Sequence, residues 1–241
     1  MKPQLSLIVP TFNESMNILK CLNNIKGSFS KDKIPYEVIV IDDNSPDGTY
    51  KYAKDMSKSY RNLKVYLRKN ERGFGSAVHF GIKKAKGEYV IPFMADLSDS
   101  LDDAKLLYYT IKEGGYDVVF TNRFKDGNRA YKYPMLKYFF NRAYNYLISA
   151  VFKIKYTDTS NAFKAFRKDI IDDISIVYGG FEFTTELAVK AYFNGNKFTE
   201  MPVSWHNRVK GNQKFKLLKM GIGYTKVFFM LLDEKYNLFR R

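Results

Sequence analysis

The segment YVIPFMADLSDS, Tyr89 to Ser100, decides how the fold is read. Tyr89–Met94 holds five apolar or aromatic side chains, short and continuous enough for a strand buried on both faces. Asp96 and Asp99 follow at once, in a chain of 241 residues with 40 Lys+Arg against 25 Asp+Glu and a net charge of +15. Acidic groups at the end of a buried strand in so basic a protein ask for a chemical reason.

Similar apolar runs lie on either side: LSLIVP at 5–10, YEVIVIDD at 36–43, LKVYLR at 63–68 and DVVFTN at 117–122. Helical stretches separate them. Asn13 to Ile25 places Ile18, Leu19, Leu22 and Ile25 on one face, and a helix runs from the NSPDGT turn to about Lys58. GFGSAVHFGIKKAKG, 73–87, reads as a loop and helix with Gly87 as its C-cap, and Leu101 to Glu113 as another helix. Strands apolar throughout, alternating with helices, predict an α/β fold with a mostly parallel sheet covered on both faces. Ligands of such sheets bind beyond the carboxyl ends of the strands, here Pro10–Glu14, Asp42–Asp43, Asp96–Asp99 and Asn122–Arg123. Each of these is polar where its strand stops.

Beyond Arg129 the pattern turns helical in YPMLKYFFNRAYNYLISAVF, 133–152, and again in GGFEFTTELAVKAYFNG, 179–195; FTEMPVSWHNR, 198–208, reads as extended. Leu217 to Phe239 mixes apolar residues with Lys219, Lys226 and Lys235. Lys226 interrupts the roughly 20 apolar residues that a spanning helix needs. A basic amphipathic helix at 216–241, lying on a membrane surface or against a second subunit, fits the pattern, with 1–215 as the main domain.

Composition narrows the partners. With 45% hydrophobic residues the chain can bury a large core, and a single cysteine, Cys21, excludes an internal disulfide and suits a reducing compartment. No cleavable leader is visible before LSLIVP, so the expected location is cytoplasmic, at the periphery of a membrane. The positive charge asks for nucleic acid, phosphorylated small molecules or an anionic membrane face. The basic residues are scattered and no nucleic-acid recognition motif is present, so nucleic acid is not the expected partner. RGFGSA falls short of a dinucleotide loop, because Val78 stands where the third glycine belongs. His79 reads as a packed or surface residue, and His206 as one that could line a site.

The acidic cluster itself has three readings. Ser98, Asp99 or Ser100 could cap the next helix, with Asp102 and Asp103 favourable in its first turn. The carboxylates could act as general acid and base. Or they could hold a hard divalent cation, which takes oxygen ligands and bridges to phosphates.

Six segments, IVPTFNE at 8–14, VIDDNSPDGT at 40–49, RGFGSAVHFGIKKAKGEYV at 72–90, FMADLSDS at 93–100, DTSNAFKAF at 158–166 and RVKGNQK at 208–214, occur in order at suitable spacings. Together they resemble the family 2 inverting glycosyltransferases of the GT-A fold, and among them the polyprenyl-phosphate mannose and glucose synthases. The resemblance covers roughly residues 4 to 215. It implies that Pro10, Phe12, Glu14, Ile41 and Asp43, with Ala95 and Asp96, bind a GDP- or UDP-hexose, Phe12 standing where Tyr is usual. It implies Mg²⁺ or Mn²⁺ at Asp96 with help from Ser98 or Asp99, Met94 occupying the first acid of the usual Asp-x-Asp. Arg208 and Lys214 would close over the donor diphosphate, with Gly211 permitting the turn, and Arg123, Lys137 and Asn141 would meet the phosphate of a polyprenyl phosphate acceptor. Catalysis would rest on Asp96, Arg123 and Arg208. A second copy or a membrane protein remains open as a further partner.

The residues also leave rivals. A hydroxyl acceptor in surface polysaccharide or lipid-linked glycan assembly would need a base, for which Glu182 or Glu186 is placed. An inactive membrane-bound scaffold would rest on Met94 alone.

Overall fold

The computed structural model describes residues 2–125, 130–131, 133–208 and 217–237. In chain order the elements are β1 (Leu5–Thr11), α1 (Ile18–Lys31), β2 (Tyr36–Asp42), α2 (Thr49–Ser57), β3 (Leu63–Leu67), α3 (Phe74–Lys84), β4 (Tyr89–Pro92), α4 (Leu101–Gly114) and β5 (Val118–Asn122). Then come β6 (Ala130–Tyr131), α5 (Met135–Phe152), β7 (Ala165–Arg167), α6 (Lys168–Asp172), α7 (Phe183–Phe193), β8 (Phe198–Pro202), β9 (Trp205–His206) and α8 (Leu217–Tyr236). Seven strands form one sheet in the order β3-β2-β1-β4-β7-β5-β8, and β6 pairs with β9.

All neighbours in the large sheet are parallel except β7, which runs antiparallel between β4 and β5. Alternate residues of the apolar strands feed two cores. Leu7, Val9, Val38, Val40 and Ile91 pack under α1, α2 and α4, whereas Ile8, Ile39, Ile41, Val90 and Phe120 pack under α3, α5, α7 and α8. The short strand β7 was not separable from its motif by pattern. Only three residues pair, and they alternate faces as any loop might.

The chain leaves β1 for β2 and β3 on one side, then returns to β4 on the other. This switch opens a crevice at the carboxyl ends of β1 and β4, since the connections depart in opposite directions. The loops after these strands hold Phe12–Glu14 and Met94–Ser100.

Two readings of local structure change. Gly87 does not cap α3, which ends at Lys84; its N–H donates to Ser6 Oγ (3.0 Å), and its Cα packs so closely on the Leu5–Ser6 backbone that a Cβ would lie 2.8 Å away. The tail helix α8 is docked by one face. Val227 and Leu231 are fully buried against α5 and α7, and Lys190 pairs with Glu234 (3.0 Å). No helix among the described residues is long and apolar enough to cross a membrane.

Candidate active site

A cavity of about 960 Å³ opens at the switch point, and most residues singled out from the sequence line it. Pro10, Phe12, Glu14, Asp43, Asp96, Ser98, Asp99, Arg123, Lys137, Asn141 and Arg208 all face it. Ile41 and Ala95 do not. Ile41 is a core residue beneath α3, contributing only its carbonyl to Thr11 Oγ (3.3 Å), and Ala95 is buried in the opposite core. Lys214 and Gly211 lie outside the described residues. His206 is exposed with its ring against Tyr131 and is not part of the cavity wall, and Cys21 is fully buried.

The two aspartates after β2 divide their work. Asp42 accepts from Ser45 N–H (2.8 Å), Ser45 Oγ (2.6 Å) and Thr11 Oγ1 (2.9 Å), which makes it a turn residue. Asp43 faces the cavity, but its oxygens are already engaged by Arg68 Nε (2.7 Å) and Gly73 N–H (2.9 Å). Burial raises its pKa against the pull of Gly73 and Arg68. Gly73 adopts φ +152°, and a Cβ there would strike the Gly179 carbonyl. The glycines of RGFGSA therefore serve close approach of α3 to the Gly179–Gly180 turn, whose carbonyls accept from Ser76 and Gly75 N–H. Arg68 had no signal in the sequence beyond being one of many basic residues.

At β4 the chain turns through Leu97, a non-glycine in the left-handed region (φ +57°). Such a conformation costs about 1 kcal/mol or more for a branched side chain. It lets Ser98 N–H donate to Asp96 Oδ1 (3.0 Å) and holds both acids on the cavity. The helix cap belongs to Ser100, whose Oγ accepts from Asp103 N–H (3.3 Å). Capping thus leaves Asp96 and Asp99 free for another purpose. Asp99 Oδ2 is buried without a hydrogen-bond partner, and burial together with the Asp96 charge pushes its pKa up to about 7.

An orphaned buried carboxylate oxygen beside a second carboxylate and the Ser98 hydroxyl suits a hard cation. No three His, Cys, Asp or Glu side chains come together among the described residues. A cation seated here would therefore draw remaining oxygens from its ligand or from water, as Mg²⁺ commonly does with phosphates.

The cations complete the site. Arg123 Nε and Nη2 form a buried fork onto Asp158 (2.9 and 2.8 Å), and its guanidinium lies over the Phe124 and Tyr133 rings. Lys137 Nζ sits 5.1 Å from the Tyr133 ring centre and 5.6 Å from that of Trp205. Burial and the neighbouring Arg123 lower its pKa to about 8. Asn141 donates to Ser160 Oγ (2.7 Å). Arg208 Nη2 bonds both carboxylate oxygens of Glu14 (2.8 and 2.9 Å) and stands 3.5 Å from Asp96 Oδ2. Asp158 and Trp205, absent from the expected site, were both inside quoted segments. A carboxylate in DTSNAFKAF and the only tryptophan of the chain were the available signals.

The candidate bases, Glu182 just before α7 and Glu186 within it, are elsewhere. Glu186 is fully buried, accepting from Val177 and Tyr178 N–H (2.8 and 2.9 Å) and Lys190 Nζ (2.9 Å), and neither it nor Glu182 lines the cavity.

A switch-point crevice that gathers acids and cations in this layout belongs to the GT-A class of fold. The model of Glycosyl transferase family 2 matches residues 6–175, and the chain belongs to that family. It is similar to a dolichol-phosphate mannosyltransferase of Pyrococcus furiosus, 29% identical over 98% of this chain and 64% of the relative. It also resembles the glycosyltransferase AglE of Haloferax volcanii, 33% identical over 55% of this chain and 41% of the relative. The chain thus spans less than two thirds of the length of either. Among solved structures, the mannosyltransferase PcManGT of Pyrobaculum calidifontis, in complex with GDP-Man and Mn²⁺, superposes with a TM-score of 0.65 at 20% identity, over 98% of this chain and 65% of that one. Glucosyl-3-phosphoglycerate synthase of Mycobacterium tuberculosis, with Mn²⁺ and UDP-glucose, gives 0.70 at 15% identity, over 96% and 78%. At these identities the structures bear on the fold alone.

Proposed function

We propose that this chain transfers a hexose, mannose before glucose, from a nucleoside-diphosphate sugar to a polyprenyl phosphate, with inversion at the anomeric carbon. The observation that carries the reading is the composition of the switch-point cavity. Asp96 and Asp99 line it together with Arg123 and Lys137, and neither Glu182 nor Glu186 is among its lining residues. A phosphate acceptor is already anionic at neutral pH and needs no base, whereas a hydroxyl acceptor would need one.

Asp96, Asp99 and Ser98 would hold Mg²⁺ or Mn²⁺, which when bound neutralises charge on the leaving diphosphate. Phe12 and Pro10 offer the apolar wall for a base at the β1 end. Asp43, tied down by Arg68 and Gly73, keeps the loop beside it in place for the donor. Arg123 and Lys137 draw the acceptor phosphate toward the sugar and offset its repulsion from the donor. Arg123 is oriented for this by Asp158, and Lys137 by the rings around it. Fixing both reactants removes the entropy of encounter from the barrier. An acceptor oxygen attacking from the Arg123 side, opposite the departing diphosphate, inverts the carbon.

The test is transfer from GDP-mannose and from UDP-glucose, each with Mn²⁺, to a short-chain polyprenyl phosphate and to the matching polyprenol, with the product's anomeric configuration read by NMR. Inverted sugar on the phosphate alone is expected. Transfer to the alcohol, abolished by Glu182→Gln, would replace this reading with the hydroxyl-acceptor one.

A further inference from the structure

Lys164 does not line the cavity, yet it is only 1% exposed. Burying an ammonium is costly unless its protons all find acceptors. Lys164 Nζ donates to the carbonyl of Thr159 (2.9 Å), to that of Asn161 and to that of Thr184 (3.4 Å). Three carbonyls match the three donors of a protonated lysine. Two of them belong to one turn, Asp158–Asn161, which the Asn161 N–H closes onto the Asp158 carbonyl (3.1 Å). The third lies in the first turn of α7.

That turn is where two groups facing the cavity are held. Asp158 forks onto the Arg123 guanidinium and also accepts from the Arg123 N–H (3.2 Å). Ser160 Oγ accepts from Asn141 Nδ2 (2.7 Å) and from Asn145 Nδ2 (3.1 Å). Ser160, Asn161 and Ala162 line the cavity together with Arg123 and Asn141. A second anchor comes from α5, where Asn145 is fully buried. Its Oδ1 accepts from Thr159 Oγ1 (2.7 Å) and from the Ser160 N–H (3.3 Å). The turn is therefore tied to α5 by a neutral amide and to α7 by an ammonium.

We propose that Lys164 is a positioning residue, whose ammonium pins the Asp158–Asn161 turn to the start of α7 and through that turn sets Arg123 and Asn141 for an incoming phosphate group. The inference rests on the phosphate-acceptor reading for the identity of that ligand. It accounts for a lysine at a place where an apolar side chain of similar length would fill the same space. Such a side chain would leave the three carbonyls without this donor and the turn free to shift. A shift of a fraction of an ångström moves Asp158 and Ser160, and the groups they orient move with them. Asn145 still holds the turn when Lys164 is replaced, so the turn loosens without unfolding.

The experiment compares wild type, Lys164→Met and Lys164→Arg at about pH 6, where the lysine keeps its proton. Calorimetric titration reads the binding of a short-chain, water-soluble polyprenyl phosphate and, separately, of GDP and UDP with Mn²⁺. Hydrogen exchange reads the backbone amides of 157–163. Lys164→Met should bind the polyprenyl phosphate roughly tenfold more weakly, with nucleotide binding unchanged and faster exchange confined to the turn. Lys164→Arg, which keeps charge and donors, should recover part of the lost affinity. Equal binding of the polyprenyl phosphate by wild type and Lys164→Met overturns the proposal, as does unchanged exchange at the turn. An equal loss of affinity for polyprenyl phosphate and nucleotide also overturns it, and makes Lys164 a support of the fold alone. Faster exchange at the turn in a protein whose wild type binds no polyprenyl phosphate would leave the pin standing and remove the proposed acceptor instead.

Discussion

Arg208 Nη2 lies 3.5 Å from Asp96 Oδ2, with the same nitrogen bonded to Glu14. Two carboxylates from the ends of β1 and β4 thus share one guanidinium, which offsets their mutual repulsion. A divalent cation at Asp96 would compete with that contact.

Arg208→Gln should therefore act in opposite directions on the two ligands. With its cationic neighbour gone, Asp96 should hold Mn²⁺ more tightly, while nucleoside diphosphate binds more weakly for want of a positive group. Calorimetric titration of each ligand in turn checks this; weaker Mn²⁺ binding would show that Arg208 does not compete for Asp96.

Asp99→Asn should stabilise the ligand-free protein, because it removes a buried charge whose Oδ2 has no partner. The gain is expected at about 1 kcal/mol or more. The same change should shrink the Mn²⁺-dependent part of the thermal shift given by UDP or GDP, which for a ligand at 100 times its dissociation constant amounts to about 2.7 kcal/mol in the wild type. A variant less stable than wild type without ligand would contradict this account.

Asp158→Asn leaves Arg123 buried without its counter-charge. Removing one partner of such a pair costs about 3–5 kcal/mol. Urea denaturation should show a loss of that size; a loss below about 1 kcal/mol would mean that Arg123 finds another anion or water.

Lys164 provides the pH test. Its ammonium is fully enclosed, donating to the carbonyls of Thr159, Asn161 and Thr184. Burial lowers its pKa from 10.5 to about 7, against the pull of Asp158. In the folded state the amine is neutral above about 7, whereas the unfolded chain keeps the proton up to the ordinary lysine value. Within that window the unfolded state binds more protons, so stability rises with pH, by at most about 1.4 kcal/mol per unit. The stability of wild type relative to Lys164→Met should accordingly be greater at about pH 9 than at about pH 6. A difference that does not change between them, read by chemical denaturation, would place the proton on Lys164 throughout.

Gly75→Ala should destabilise by about 1–3 kcal/mol, since the new methyl would collide with the Phe183 side chain and lie 2.7 Å from the Gly180 carbonyl. Thermal unfolding measures it. An unchanged melting temperature would mean that α3 and α7 can separate at little cost.

Strand periodicity made the β1–β5 order and the two covered faces legible, because a strand buried on both sides must be apolar at every position. The polar residue at each strand end pointed to one edge of the sheet, and the cavity lined by Glu14, Asp43, Asp96 and Arg123 opens there. Ile41 lies in the core and not on the cavity, because a residue near a strand end points alternately to either side, and one position decides which. Gly87 was misjudged because a glycine three residues past a helix serves either a cap or close packing, and its neighbours Leu5 and Ser6 are distant in sequence. Which partner each charge takes was decided only by the tertiary structure. Arg68 joins Asp43, Asp158 joins Arg123, and Arg208 joins Glu14 across 194 residues. The reason is physical: apolar burial is written in local periodicity, whereas an ion pair depends on the distance between side chains that only the folded backbone brings together.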